Sequence, residues 1–190
     1  MNERVAPDRE WAGHSAPGDL AAWRALHDQH LPLVVRIARR MGVAESDLAD
    51  LCQEVFLRVY RGLGGFRGEA QFSTWMYRIT VNEAARLGRA HSLRRALATL
   101  LGREVTPAPA RAPDDELARA EAARVLNEIL GRMKPKHRAV FMLFELEELS
   151  LEEIAAVVDC PLETVRSRLR HARAEFDRHR RQRAAVGGAR

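Results

Sequence analysis

Cysteine is nearly absent. The 190 residues hold two, Cys52 and Cys160, and neither has a partner at metal-ligand spacing, so both read as reduced packing residues of a cytosolic protein. No apolar run approaches the roughly 18 residues that a membrane span needs. The N-terminal MNERVAPDREWAGHSAPGD has no apolar centre and is not expected to act as a signal peptide. Neither membrane insertion nor secretion is therefore expected. Strand periodicity and internal repeats are missing as well. The glycines of Gly62 to Ser73 fail the GxGxxG spacing, and no Gly-Lys-Ser/Thr follows them. His27 and His30 make no HExxH, and local motifs display no Ser-His-Asp or Cys-His set. The chain thus gives no sign of an enzyme, a small-molecule substrate or a cofactor.

What is present is charge, and it is unevenly placed. The net charge is +5. Glu145 to Asp159 carries six acidic residues and no basic one, whereas Leu162 to Arg183 carries eight arginines against three acids. Arg86 to Arg103 adds five arginines and no acid. Solubility charge would mix the signs; two separate basic segments indicate two places where a polyanion is held.

Leu149 to Phe176 organises the chain. Ser150 caps a short helix and Glu153, three residues on, completes a capping box. Leu151, Ile154, Ala155 and Val158 fall on one apolar face. Asp159-Cys160-Pro161 then ends the helix, because proline cannot continue it and disfavours helix in the residue before it. A second helix buries Val165, Leu169, Ala172 and Phe176 and turns Glu163, Ser167 and Arg170 outward, flanked by Thr164, Arg166 and His171. A short helix, a sharp turn and a second helix with a basic, hydrogen-bonding face form a helix-turn-helix pattern.

The remaining chain reads as helices and linkers. Residues 1–18 lack periodicity and are expected to be disordered. A helix is predicted from about Asp19 to Met41, kinked at Pro32, with Gly42 as its stop. Another runs from about Glu45 to Gly62 with Leu48, Leu51, Cys52, Val55, Phe56 and Val59 inward. On its other side Asp50, Gln53 and Glu54 share a patch. Periodicity alone leaves that patch either solvated surface or a dock for a basic partner. In the loop that follows, Phe66 and Arg67 offer stacking and cationic surfaces for an unpaired base, while Phe72 is expected to pin the loop to the core. A third helix is predicted over Ser73 to Ala90. Met76, Thr80, Ala84 and Leu87 face one way, and Trp75, Arg78, Asn82, Arg86 and Arg89 the other. Guanidinium and amide donors in a row suit a sugar-phosphate backbone and exposed bases; Trp75 either belongs to that surface or packs under the glycine-rich loop. The proline-rich run LGREVTPAPARAP breaks the pattern and reads as an extended linker. Beyond it, a helix to about Met133 uses Leu117, Ala122, Leu126, Ile129 and Leu130, and Pro135 opens a very apolar helix around Val140, Phe141, Leu143 and Phe144.

Two long stretches carry a resemblance. DLADLCQEVFLRVYRGLGGFRGEAQFSTWMYRITVNEAARL is similar to the second conserved region of bacterial sigma factors, and MKPKHRAVFMLFELEELSLEEIAAVVDCPLETVRSRLRHARAEF to the fourth. With nothing resembling region 3 between them, the chain resembles the extracytoplasmic-function class of the sigma-70 family. The resemblance implies an all-α fold of two small helical domains. Residues 19–93 would be region 2, 94–113 a linker threading towards the RNA exit channel, and 114–181 region 4 with its helix-turn-helix at about 149–176; 182–190 would be a frayed tail. It implies that Asp50, Gln53 and Glu54 dock on the basic clamp helices of the largest subunit of core RNA polymerase. Phe66, Arg67, Trp75, Arg78, Asn82, Arg86 and Arg89 would hold the melted minus-ten strand of promoter DNA. Thr164, Arg166, Ser167, Arg170 and His171 would enter the minus-thirty-five major groove. It further implies a cytoplasmic, nucleoid-associated protein with an anti-sigma partner and no cofactor or metal. Two departures bear on this. The family often ends its recognition helix with an aromatic residue or histidine followed by arginine, whereas here Arg170 precedes His171. Without region 3, extended minus-ten reading is not expected. The alternative is a stand-alone helix-turn-helix regulator, which leaves the Arg78–Arg89 and Asp50 faces without a role.

Overall fold

Residues 20–66, 71–100 and 117–187 are described by the computed structural model, and the regular elements among them are seven helices. They are α1 (Leu20–Arg40), α2 (Glu45–Leu63), α3 (Phe72–Leu100), α4 (Leu117–Arg132), α5 (Pro135–Glu145), α6 (Leu151–Val158) and α7 (Leu162–Gly187).

Helices α1, α2 and α3 pack together as a first lobe. α1 buries Leu26, Leu33, Val34, Ile37 and Ala38, a stripe of helical period that needs a partner on one side only. It runs unbroken through Pro32. It ends where Gly42 takes φ +79° and the amide of Val43 bonds the carbonyl of Ala38, a left-handed terminus that glycine adopts without steric cost. α2 buries the six residues expected of it. α3 buries Met76, Thr80 and Ala84 but also Tyr77, Val81 and Glu83, because it is covered on more than one side. It is longer than its sequence pattern suggested and continues from 90 to 100. The amphipathic pattern fades there, but its residues are good helix formers with no proline to stop them. The expected linker thus begins as helix over 94–100, and its remainder, 101–113, lies outside the described residues, as does the expected N-terminal tail.

The second lobe is built on α5. Pro135 occupies its first turn, and its buried run Arg138 to Leu143 is gripped by α6 and α7. The Ser150–Glu153 capping box is formed at both ends, and Asp159 closes α6 in the left-handed region at φ 48°. The buried residues of α6 are Ile154 and Val157, with Leu151, Ala155 and Val158 only partly covered. Val157 was absent from the stripe read in the sequence; α6 lies between α3 on one side and α5 and α7 on the other, so it buries a wider arc than a helix with one neighbour. In α4, Ile129 and Leu130 are buried while Ala122 is exposed. The tail expected to fray from 182 stays helical to Gly187, and there Arg183 reaches back to Glu128 on α4 with Nε–Oε2 at 3.0 Å.

The two lobes touch. One apolar cluster runs from Leu26, Ile37 and Phe72 through Val140, Leu143, Ile154 and Val165, and α3 lies against α6. A smaller cluster of Leu130, Met133, Phe141 and Ala172 serves the second lobe alone.

Candidate partner and nucleic-acid interfaces

Three exposed faces hold the residues singled out from the sequence. The first lies on α2, where Asp50 and Gln53 are exposed and Glu54 is partly covered. Glu54 accepts from Arg58 Nε at 2.9 Å. The same nitrogen lies 2.9 Å from Glu83 of α3, and Glu83 in turn accepts from Arg86 Nε at 2.8 Å. Glu83 is only 4% exposed. A chain of four alternating charges therefore runs from the acidic face of α2 to the basic face of α3. It raises the pKa of Arg86 above its ordinary value, chiefly through the Glu83 hydrogen bond. The i,i+3 spacing announces its pairing with Arg86 on the same helix, but nothing local announces Arg58, which reaches it from α2. Leu57 and Tyr60 are exposed on the outer side of α2, with Tyr60 edge-on to Trp23 at 5.1 Å. They follow Gln53 at i+4 and i+7, so this signal was present in the sequence: apolar residues on the face opposite the core.

The second face is on α3. Arg78, Asn82, Arg86 and Arg89 are all exposed and recur every three or four residues, which places them along one side. At the head of that side the aromatic rings form a stack. Trp75 lies over Phe66 at 5.2 Å and 29°, Phe66 meets the edge of Phe72 at 5.4 Å, and Phe72 is fully buried. Trp75 is only partly covered. It packs against Phe66 of the loop, as one of the two readings had it, and still presents surface. Gly62 makes this possible: a Cβ there would sit 2.8 Å from Trp75 Cζ2. Arg67 lies outside the described residues.

The third face is on α7. Val165, Leu169 and Ala172 are buried, Phe176 stacks on Phe141 at 4.5 Å, and the opposite side leaves Arg166, Ser167, Arg170 and His171 exposed with Thr164 partly covered. Arg166 pairs with Glu163 one turn earlier. His171 is turned back: its Nδ1 lies 2.7 Å from the Ser167 carbonyl, and its ring stacks on His137 at 5.9 Å. Of the five residues it is the one most engaged with the protein itself. Glu175, 8% exposed, fixes α7 to the start of α5. It accepts from the backbone N–H of Lys134 at 3.2 Å and lies 2.6 Å from His137 Nδ1. Burial opposes its ionisation, but these two donors together hold its carboxyl below the usual carboxylate range.

Among the described residues no group of three or more histidine, cysteine or carboxylate side chains is placed to hold a metal ion, and no helix is long and apolar enough to cross a membrane.

Comparison with known proteins aligns these faces with two family models. One described as Sigma-70 region 2 matches residues 26–94, and one described as Sigma-70, region 4 matches residues 120–176. The ECF RNA polymerase sigma-E factor of Haemophilus influenzae is 32% identical over 163 residues, 82% of this chain and 86% of that protein. The sigma-E factor of Escherichia coli K12 is 32% identical over 167 residues, 84% of this chain and 87% of its own length. Among solved structures, CnrH in complex with the cytosolic domain of CnrY superposes with a TM-score of 0.65 at 27% identity, covering 90% of this chain and 94% of that one. The sigma factor RpoE in complex with the anti-sigma factor NepR from Bartonella quintana superposes with a TM-score of 0.64, covering 85% of this chain and 98% of that one. At 19% identity it supports the fold alone.

Proposed function

The chain belongs to the extracytoplasmic-function class of the sigma-70 family, and from that premise we propose how its three faces divide the work of a promoter-specificity subunit of RNA polymerase. Sigma factors are regulatory subunits rather than enzymes, so the chemistry remains with the polymerase. This chain binds core enzyme, directs it to a bipartite promoter and helps to hold the opened strand.

The α2 face docks the polymerase. Asp50, Gln53 and Glu54 supply the carboxylates and amide that suit a basic coiled coil, and the exposed Leu57 and Tyr60 extend that contact with apolar area. The α3 face takes the minus-ten strand. Arg78, Arg86 and Arg89 bind phosphates, Asn82 reads a base edge, and the Phe66–Trp75 stack receives an unpaired base. Flipping a base costs a few kcal/mol, which stacking and edge contacts offset. The α7 face enters the minus-thirty-five major groove, where each good bidentate contact contributes about 1–3 kcal/mol of discrimination. Arg166, Ser167 and Arg170 carry this role, Thr164 stands at its edge, and His171, held against His137 and its own helix, makes a lesser contribution. In this reading residues 19–93 and 114–181 act as separate binding domains, the protein works in the cytoplasm on nucleoid DNA, and an anti-sigma factor restrains it.

One observation carries the proposal: regions 2 and 4 occur in order on one chain, and each presents its own exposed basic helix. A stand-alone regulator would need only the second. The test is in vitro transcription from a genomic promoter library with core polymerase, with and without the protein. New RNA starts sharing two upstream motifs are expected. Tight binding to a palindromic site without polymerase, and no new starts, would overturn the reading.

A further inference from the structure

Helix α7 does not stop where the match to region 4 does. That match ends at residue 176, and α7 continues from 177 to Gly187. Residues 177–187 hold four arginines and one acid. Arginine, glutamine and alanine sustain the helix, and α4 anchors it. Arg183 lies 3.0 Å from Glu128 and 3.9 Å from Glu121, and its hydrogen bond is the chief cause that holds the Glu128 carboxyl below the usual carboxylate range. The other three arginines, Arg178, Arg180 and Arg181, are exposed. Arg180 lies 3.5 Å from Asp177. Arg178 lies 3.9 Å from Glu175, whose carboxylate already serves the Lys134 N–H and His137. Exposed pairs at such distances contribute little, so these guanidinium groups stay available to a stronger anion. Cations near a helix C-terminus also answer its dipole, but that effect is confined to the last turn, and Arg178 and Arg181 lie before it.

We propose that Arg178 and Arg181 make a second DNA contact of α7, on the phosphates that border the groove entered by its first turns; this rests on the reading of α7 as the minus-thirty-five recognition helix. Eleven residues make very nearly three helical turns. Arg178 therefore stands in line with Ser167, and Arg181 in line with Arg170. Between them on this side lies the exposed Ala174, too small to hold DNA away. From Arg170 to Arg181 the helix axis advances about 16 Å, whereas the major groove is about 12 Å wide. A straight helix seated by its N-terminal end has left the base edges by Arg181 and passes over the bordering phosphates. Arginine suits that place, because its planar fork meets phosphate oxygens in pairs. Such contacts carry no sequence information. They fix the angle at which Arg166, Ser167 and Arg170 meet the base edges. Continuity with that groove-facing row favours duplex DNA over an acidic protein as the occupant.

Promoter binding by holoenzyme, assembled from core polymerase and the full chain, tests this. Each phosphate contact adds about 0.9 to the slope of log affinity against log salt. Arg178→Gln with Arg181→Gln is expected to lower that slope by up to about 1.8, and affinity at about 0.1 M salt by up to about 60-fold. The loss should be equal on promoters that differ in the minus-thirty-five element, with helix content and core affinity unchanged. Lysine at both positions, which keeps the charge, should recover most of it. Single neutral methylphosphonate linkages, scanned along the element and its flanks, should weaken parental binding at flanking phosphates and have no effect there in the double variant. The parental scan decides the matter where the double variant loses helix content. An unchanged salt slope, no recovery by lysine, or a parental scan silent on the flanks would overturn the contact. A loss seen in assembly with core, without DNA, would show that the row meets an acidic protein surface and would overturn it too. Failure of the underlying reading looks different: Arg166→Ala would then leave promoter binding as it was. Where Arg166→Ala weakens binding and the double variant does not, the second contact alone fails.

Discussion

Replacing Glu175 by alanine should loosen the recognition helix α7 from its support. Two contacts are lost. The carboxylate accepts the N–H of Lys134, an amide at the start of α5 that the helix cannot satisfy internally, and losing such a cap costs about 0.5–2 kcal/mol. It also pairs with His137 at 2.6 Å, and a hydrogen bond involving a charged group contributes about 1.5–3 kcal/mol when buried. The pair is a fifth exposed on the histidine side, so the lower end applies, and the sum is about 2–3 kcal/mol. In a domain of 60–100 residues that corresponds to a Tm lower by roughly 8–24 °C. The pH dependence has a definite sign. The folded carboxyl is held below its unfolded value, so its contribution is present above about pH 4.3, the unfolded pKa, and is lost as pH falls through the folded value. Thermal unfolding together with hydrogen exchange at the first turn of α5 measures this. The gap between Glu175→Ala and the parent should be full at pH 6 and shrink towards pH 3. A gap that is equal at the two pH values would show that the loss is one of packing alone and refute the electrostatic argument. A gap under about 0.5 kcal/mol at pH 6 would refute the cap as well.

Gly62→Ala places a methyl 2.8 Å from Trp75 Cζ2. The rigid indole must shift, at an overpacking cost of about 1–3 kcal/mol that a gain of about 1 kcal/mol in helix propensity partly offsets; a changed tryptophan emission and slower promoter opening with core binding intact are expected, and unchanged opening would separate the Phe66–Trp75 stack from strand capture. Asp50→Ala with Glu54→Ala should weaken competition for core polymerase and leave minus-thirty-five binding by the isolated factor unchanged, whereas Arg166→Ala should do the reverse at a cost of about 1–3 kcal/mol; equal losses in both assays would refute the division of roles. Glu163→Ala removes the carboxylate paired to Arg166, so non-specific DNA affinity should rise and the slope of log affinity against log salt should steepen by up to about one; an unchanged slope would place Arg166 away from phosphate.

Local chemistry made much of this legible in the sequence. The Ser150–Glu153 box, the Asp159–Pro161 break and the stripe of α2 depend on residues within one or two turns, and all appear where the spacing put them. What the sequence hid was long-range. The acidic run from Glu145 looks like a solvated face, and Glu147 differs from Glu148 beside it only because Arg36, Arg40 and Tyr77, which are 111, 107 and 70 residues away, converge on it. Tyr77 and Val81 are buried beside the Met76 stripe because α3 packs against α1, α2 and α6. Val157 was missed for the same reason: a helix between two layers buries more than one stripe, and periodicity presumes a single buried side. The extension of α3 escaped notice because periodicity registers burial and not helicity.

Two of the arginines on the proposed DNA faces share a feature. Arg86 is paired with Glu83 and Arg166 with Glu163, each carboxylate three residues earlier on the same helix. In both places a phosphate would have to displace a carboxylate, so part of the electrostatic gain of binding DNA is cancelled before it begins. Counterion release supplies most non-specific affinity, and this exchange reduces it while leaving geometry-dependent base contacts intact, which favours discrimination over grip. At Glu83 the exchange reaches further. Drawing Arg86 towards DNA leaves Arg58 as the remaining partner of a buried carboxylate, and Arg58 is shared with Glu54 on the proposed polymerase-facing side. A basic partner that draws Glu54 away from Arg58 leaves that arginine to Glu83 alone, and so lowers the cost of releasing Arg86. By this electrostatic argument, docking on α2 and strand binding on α3 should favour one another, through four side chains and without any movement of the backbone.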